Sequence, residues 1–252
     1  MTKPFLSVII PAFNEAERLP LTLIDIDRHL SEAEYSYEII VVNDASHDAT
    51  SEIVGRFIPV VRHLKLIDSP EHRGRGAAVR IGMLSARGNW RLAFPAGNAI
   101  SIVEFNRMLP ALTSERGIDV AVASREAAGS SSEPVQPVHA RSLDWAANRM
   151  LRVMLSSRIK DFFLGFHCFS SDAAEEVFAV TKLDRARHSA EALSVAEKMG
   201  YRVEEVPVSI YTAALRRTTL SAYLQLIGEA VKIRWWQSRG RYYRKPKAPL
   251  TV

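Results

Sequence analysis

Three short polar clusters hold the side chains able to do chemistry. Asn14 and Glu15 follow one apolar run, Asn43, Asp44, Ser46, His47, Asp48 and Thr50 follow another, and His72-Arg73-Gly74-Arg75-Gly76 precedes a stretch of small residues. Glycines on either side of an arginine let backbone approach a phosphate, and the start of a helix just after them adds a favourable dipole. The plain alternative for that stretch is a glycine-bearing loop, and for Glu15 and Asp44 a helix cap or a surface carboxylate. His47, His63, His72, His139, His167 and His188 have no spacing that makes a metal site.

The elements that must position these clusters follow from periodicity. Residues 6–10 form a continuous, β-branched apolar run that suits a strand covered on both faces, with Pro11 expected to stop it. Leu19, Leu23, Ile26 and Leu30 recur at helical spacing, which predicts a helix over 16–30. A second buried strand is predicted over 37–42, a helix capped at Ser46 or Asp48 and running through Phe57, and a third strand over 60–67. The order β-α-β-α-β argues for a parallel sheet with right-handed crossovers. Ligands of such sheets bind where the strands end, which is where all three clusters fall.

Composition bounds the rest. The chain has 252 residues, of which 47% are hydrophobic and 24% charged, enough for a full core. Its single cysteine, Cys168, excludes an internal disulfide. No leader and no apolar run long enough to cross a bilayer is evident, so a cytoplasmic location is expected. A net charge of +5 leaves open an anionic small molecule, a phospholipid surface or a nucleic acid.

Val8 to Glu15 (VIIPAFNE), Glu38 to Thr50 (EIIVVNDASHDAT) and Arg73 to Arg80 (RGRGAAVR) occur in the order and spacing of one family. The chain resembles a family 2 glycosyltransferase of the GT-A fold, closest to the branch that makes dolichyl- or polyprenyl-phosphate mannose or glucose. Ala123-Ser124-Arg125, Gly165-Phe166, Glu191 and Glu205-Val206-Pro207-Val208 extend the likeness over roughly residues 5–245. The resemblance implies an α/β fold with a mainly parallel central sheet flanked by helices and a C-terminal amphipathic helical tail. It places a nucleotide-binding half in 1–125, an acceptor-side half in 126–215 and a basic tail in 216–252. It further implies that Pro11, Ala12, Phe13 and Glu15 border the base and ribose and that Asp44 hydrogen-bonds one of them. Gly74, Gly76, Ala96 and Asn98 would complete the nucleotide site. Arg75 stands where the family has lysine and would face the diphosphate, keeping the charge and adding a planar fork of donors.

The resemblance breaks at the expected chemical centre. The family uses Mg or Mn held by Asp-x-Asp at the end of the next strand, whereas Leu92-Ala93-Phe94 leads here into Pro95-Ala96-Gly97-Asn98-Ala99. Hard divalent cations favour anionic oxygen, and both acids are missing, so no metal ligand is assigned. Asn43-Asp44-Ala45-Ser46 replaces Asp-Asp-Gly-Ser, Asp161-Phe162-Phe163-Leu164-Gly165 replaces a more polar run, and Ser189-Ala190-Glu191 keeps only the glutamate of Asp-x-Glu. An ionised phosphate acceptor needs little help from a base. Arginines can stabilise a departing diphosphate, with Arg75, Arg125, Arg187, Arg216 and Arg217 as candidates. Arg75, Arg125 and Glu191 are the expected catalytic residues.

The acceptor side is expected to draw on Arg141, Asp161, Arg216 and Arg217, beside a helix predicted over 143–155. Residues 129–134 read as a flexible loop. In the tail, Trp235, Trp236, Tyr242 and Tyr243 lie among Lys232, Arg234, Arg239, Arg241, Arg244, Lys245 and Lys247, a pattern that favours an anionic bilayer surface. No nucleic-acid fold signature accompanies it. The expected function is sugar transfer from a nucleotide sugar to a polyprenyl phosphate, with the protein peripheral on the inner face of the membrane. The alternative is a catalytically silent relative that binds a nucleotide, a lipid or a protein partner as a scaffold.

Overall fold

The computed structural model describes residues 3–97, 99–133, 138–155, 157–185, 188–211 and 220–242. Elements run β1 (Leu6–Ala12), α1 (Leu19–Ser31), β2 (Tyr37–Asn43), α2 (Thr50–Phe57), β3 (Leu64–Asp68), α3 (Arg75–Ser85) and β4 (Trp90–Ala93). They continue α4 (Phe105–Leu112), β5 (Val120–Ser124), β6 (Ser131–Glu133), α5 (Val138–Leu155), β7 (His167–Ser170), α6 (Ser171–Val180) and α7 (His188–Lys198). The chain closes with β8 (Val203–Pro207), β9 (Ser209–Tyr211) and α8 (Leu220–Ser238). The main sheet has the order β3-β2-β1-β4-β7-β5-β8. All neighbours are parallel except β7, which runs antiparallel to β4 and β5.

Alternation along β1 divides the core in two. Val8 and Ile10 face α1 and α4, where Leu19, Leu23, Ile26, Phe105 and Met108 cover them. Ile9 faces α3, α6 and α7, with Ala78, Val79, Met83, Ala174 and Leu193. Each such aliphatic side chain contributes about 1.5–3 kcal/mol when fully buried. Close approach of α3 requires Gly82, because a Cβ there would lie 2.2 Å from Ile9 Cγ2.

The two ends of the parallel strands differ. At the N-terminal edge the buried carboxylate of Glu38 accepts from Ser7 Oγ (2.7 Å), Arg87 N (2.7 Å) and Lys65 Nζ (2.7 Å), which closes it. The C-terminal edge is open, and the βα turns meet there.

Several boundaries differ from expectation for local reasons, among them the third strand, expected over 60–67, which starts at Leu64 because Val60 N and Val61 N donate back to Phe57 O in a turn that ends α2. Strand β1 runs through Pro11, because its last partner on β4 is the Ile9↔Ala93 pair and the missing N–H of Pro11 falls beyond it. Helix α1 starts only at Leu19, after a turn in which Arg18 N donates to Glu15 O, and a proline in its first turn suits that start. The serine-rich segment read as a loop supplies β6, which pairs in parallel with β9.

Candidate functional site

Adjacent parallel strands bring the turns after β1 and β2 side by side, and hydrogen bonds join them. Asn14 N donates to Ser46 Oγ (3.0 Å), His47 N to Asn14 Oδ1 (2.9 Å), Glu15 N to Thr50 Oγ1 (3.0 Å) and Ala16 N to Asp48 Oδ2 (3.2 Å). Asn43 Oδ1 accepts from Ser46 N (3.2 Å) and Oγ (2.5 Å). The φ of 53° at both Asn14 and Ala45 lies in the left-handed region, which asparagine tolerates and alanine does not favour.

Above these turns opens a cleft of about 600 Å³ lined by Pro11, Ala12, Phe13, Glu15, Arg18, Asp44, His72, Arg73, Gly74, Arg75, Ala78, Pro95, Ala96, Gly97, Ala99, Phe163, Leu164 and Arg185. That size suits a small organic ligand. Eight of the expected site residues meet there: Pro11, Ala12, Phe13, Glu15, Asp44, Gly74, Arg75 and Ala96. On one wall the ring of Phe13 lies 3.9 Å, centroid to centroid, from that of His72.

The Gly-Arg-Gly loop is held from within. Asp44 Oδ1 accepts from Arg73 N (3.0 Å), Oδ2 accepts from Gly74 N (2.7 Å) and lies 2.9 Å from His72 Nδ1. Ala77 N donates to Asp184 O (3.1 Å), and a Cβ on Gly74, at φ 114°, would lie 2.6 Å from that carbonyl. With these three backbone donors engaged, the side chain of Arg75 is the loop's charged donor toward the cleft. Its Nε is buried with no hydrogen-bond partner, and among the described residues it forms no ion pair. Burial lowers its pKa and the nearby Glu15 carboxylate opposes that, so it stays charged as arginine does. Gly165, at φ 70°, makes room for it: a Cβ there would lie 2.9 Å from Arg75 Nη2.

Other expected residues lie elsewhere. Arg125 grips Asp161 through Nε (2.7 Å) and Nη2 (2.9 Å) and Asp144 through Nη1 (2.9 Å), and none of the three lines the cleft. Burial would lower the Arg125 pKa, but the two carboxylates hold it above its ordinary value, and Arg125 keeps buried Asp161 below the usual carboxylate range. A guanidinium so paired has little left to offer a substrate.

Glu191 is fully buried and away from the cleft, accepting from Lys182 N (2.9 Å), Leu183 N (2.8 Å) and Tyr242 Oη (2.6 Å). Burial raises its pKa against those three donors. It anchors the loop whose Asp184 pairs with Arg73 and Arg80 and whose Arg185 lines the cleft, so its part is to position rather than to react. Gly76 is buried in α3 outside the lining. Asn98, Arg187, Arg216 and Arg217, and the side chain of Arg141, lie outside the described residues.

Arg18 and Arg185 were not anticipated. Arg18 stands three residues after Glu15, and its Nη2 pairs with Glu15 Oε2 at 2.6 Å. Arg185 follows the lining residues Phe163 and Leu164 by about twenty positions and lies in no recognisable motif, so no local signal announces it.

Among the described residues the donor set does not suit a divalent ion. The cleft's two carboxylates are Glu15, paired with Arg18, and Asp44, which holds the loop amides. Among the described residues no group of three or more histidine, cysteine or acidic side chains could hold a metal.

The sequence matches the family description "Glycosyl transferase family 2" over residues 7–178. It is 28% identical over 242 residues to a dolichyl-phosphate beta-glucosyltransferase of Dictyostelium discoideum, covering 92% of this chain and 74% of that one. To the enzyme of that name from Drosophila melanogaster it is 31% identical over 217 residues, covering 81% and 66%. Among solved structures, glucosyl-3-phosphoglycerate synthase from Mycobacterium tuberculosis, in complex with Mn2+, UDP-glucose and phosphoglyceric acid, superposes with a TM-score of 0.66 at 17% identity, covering 92% of this chain and 80% of that one. A mannosyl-3-phosphoglycerate synthase from Rubrobacter xylanophilus gives a TM-score of 0.65 at 15% identity, covering 99% and 79%.

Proposed function

The chain belongs to glycosyl transferase family 2, and from that premise we propose that it transfers a sugar, with inversion, from a nucleotide sugar to a dolichyl-type polyprenyl phosphate. The observation that carries the reading is an open cleft at the C-terminal strand edge containing one unpaired, partly buried arginine, Arg75. A nucleoside diphosphate needs such a cation, and Phe13 with His72 offers a ring surface to its base. The names of the relatives favour glucose as the sugar.

The chemistry asks little of acids and bases. An acceptor phosphate oxygen forms a bond to the anomeric carbon while the bond from that carbon to the diphosphate oxygen breaks, and the electron pair leaves with the diphosphate. A phosphate monoester is largely ionised near neutral pH, so no proton need be removed. This fits a cleft without a spare carboxylate. The main task left is stabilising charge on the leaving group.

Helix α8 supports docking at a membrane surface. Ile227, Val231 and Trp235 are exposed at successive four-residue steps, and the guanidinium groups of Arg239 and Arg241 lie 5.2 and 4.6 Å from the Trp235 ring. No helix among the described residues is long and apolar enough to cross a membrane, and an apolar stripe ending in tryptophan and arginine suits the interface plane. The relatives are named as transferases, which gives the scaffold alternative no support.

The test is transfer of radiolabelled sugar from UDP-glucose, with GDP-mannose in parallel, to polyprenyl phosphate in detergent. Formation of lipid-linked sugar, lost in Arg75→Ala and partly kept in Arg75→Lys, is expected. No product with either donor, from protein that is folded, would overturn the reading.

A further inference from the structure

The turn after β4 is built around an arginine. Thr22 Oγ1, on α1, donates to Ala96 O at 2.9 Å, and Ser101 Oγ donates to Asp25 Oδ2 at 3.1 Å, so α1 and this turn are fastened together. Arg18, just before the first residue of α1, is thereby held over Gly97. A Cβ at position 97 would lie 3.2 Å from Arg18 Nη1, tighter than ordinary contact, so glycine gives the guanidinium its clearance. The Arg18 side chain remains about one-third exposed and lines the cleft.

The family resemblance leads one to expect a chelated divalent ion at this turn, yet one Glu15 oxygen pairs with Arg18 and both Asp44 oxygens are held by two loop amides and His72. Arg75 approaches from the α3 side, with Glu15 close enough to act on its charge. Arg18 and Arg75 thus stand about a single cleft that Arg73, tied to Asp184, and Arg185 also line.

We propose that this chain binds and stabilises its leaving diphosphate with Arg18 and Arg75 in place of a divalent ion, Gly97 being the residue that admits Arg18 to the site. The inference rests on the transfer reading above. The bond changes are those already given. What differs is that the charge appearing on the diphosphate is met by N–H donors, which form paired hydrogen bonds to phosphate oxygens, and not by a Lewis acid.

Calorimetric titration of the full chain with UDP and GDP, in EDTA and then in Mn2+, tests this, with uridine and guanosine followed by ligand-detected NMR. The proposal expects the preferred diphosphate to bind with affinities within about twofold in EDTA and Mn2+. It expects Arg18→Gln to weaken that binding at least tenfold while nucleoside binding stays within about twofold. The double variant Glu15→Gln/Arg18→Gln, which leaves no lone carboxylate, should show the same selective loss, and Gly97→Asp should weaken diphosphate binding in EDTA by pairing with Arg18. Diphosphate binding that falls tenfold in EDTA and returns with Mn2+ overturns the proposal and leaves the transfer reading standing. So does an Arg18→Gln variant that binds diphosphate normally, or one that loses nucleoside and diphosphate alike. Failure of every nucleotide and nucleoside to bind in either condition overturns both.

Discussion

Removing the Glu191 side chain should unsettle the cleft without touching it. In Glu191→Ala, two partly buried backbone N–H groups, at Lys182 and Leu183, and the buried hydroxyl of Tyr242 lose an acceptor that is itself fully buried. Each buried donor left without a partner costs about 1–3 kcal/mol. Relief of the carboxylate's own burial, which is what raises its pKa, offsets part of this. A net loss of about 3–5 kcal/mol follows, and at about 2–4 °C per kcal/mol for a chain of this size Tm should fall by roughly 10 °C. Glu191→Gln keeps one acceptor oxygen and should lose roughly a third as much. The pH dependence has a definite sign. Because the folded-state pKa lies above the ordinary glutamate value, the contribution from this group is complete below that value and is lost as pH rises through the raised one. Wild-type Tm should carry that decline and Glu191→Gln should not. The assay is calorimetric unfolding between pH 4 and 8, paired with transfer kinetics in which the loosened loop at 182–185 raises donor KM more than it lowers kcat. A Glu191→Gln protein with unchanged Tm and kcat reduced more than about a hundredfold, the range for loss of a general acid or base, would refute the positioning role.

Gly165→Ala forces a Cβ into a left-handed residue, at about 1–2 kcal/mol, and toward Arg75 Nη2 at 2.9 Å. UDP affinity should drop with it, and a variant with unaltered nucleotide binding would show that Arg75 does not need that space. Replacing Ile227, Val231 and Trp235 with serine removes three half-exposed apolar side chains, each contributing about 1 kcal/mol to membrane burial. Sedimentation with anionic liposomes should weaken roughly a hundredfold, with transfer to a detergent-solubilised acceptor retained. Burial, helped by Arg75, pushes the pKa of His167 down to about 4, and both ring nitrogens lack partners. Its stabilising contribution is present above the ordinary histidine value of 6.5 and is lost as pH falls toward 4. Over that window wild type should therefore lose about 3 kcal/mol more than His167→Leu, and equal acid sensitivity of the two in denaturant titrations would count against it.

Much of the scaffold could be read because each buried strand of the first half is announced twice, by its own apolar run and by the turn chemistry that ends it. Residues 6–10 and 37–42 carry both signals and became β1 and β2 with small shifts at their ends. Strand β7 has neither. Its four residues, His167–Ser170, enter the sheet antiparallel between β4 and β5, an arrangement fixed by what their neighbours leave unpaired. The same holds for β6 and β9, whose partners are 78 positions apart in hydrogen bonds such as Ser131 Oγ to Ser209 Oγ. Short strands of this kind gain their conformation from pairing, and period-two patterning is too brief to show.

The site divides along a different line. Phe13, Glu15, Asp44 and Arg75 were legible because βα turns of neighbouring parallel strands must meet at one edge. Which cations remain available there was not legible, since availability depends on partners distant in sequence. Arg125 looks like an active-site cation until Asp144 and Asp161 are seen to consume it, and Arg73 is tied to Asp184 from 111 positions away. Arg18 carries a sequence signal only in retrospect: a glycine at 97 in place of a side chain, and a glutamate three residues earlier to hold the guanidinium. An aspartate at 97 would draw the guanidinium clasped against it into a closed pair, so the small residue there and the arginine facing the cleft belong together.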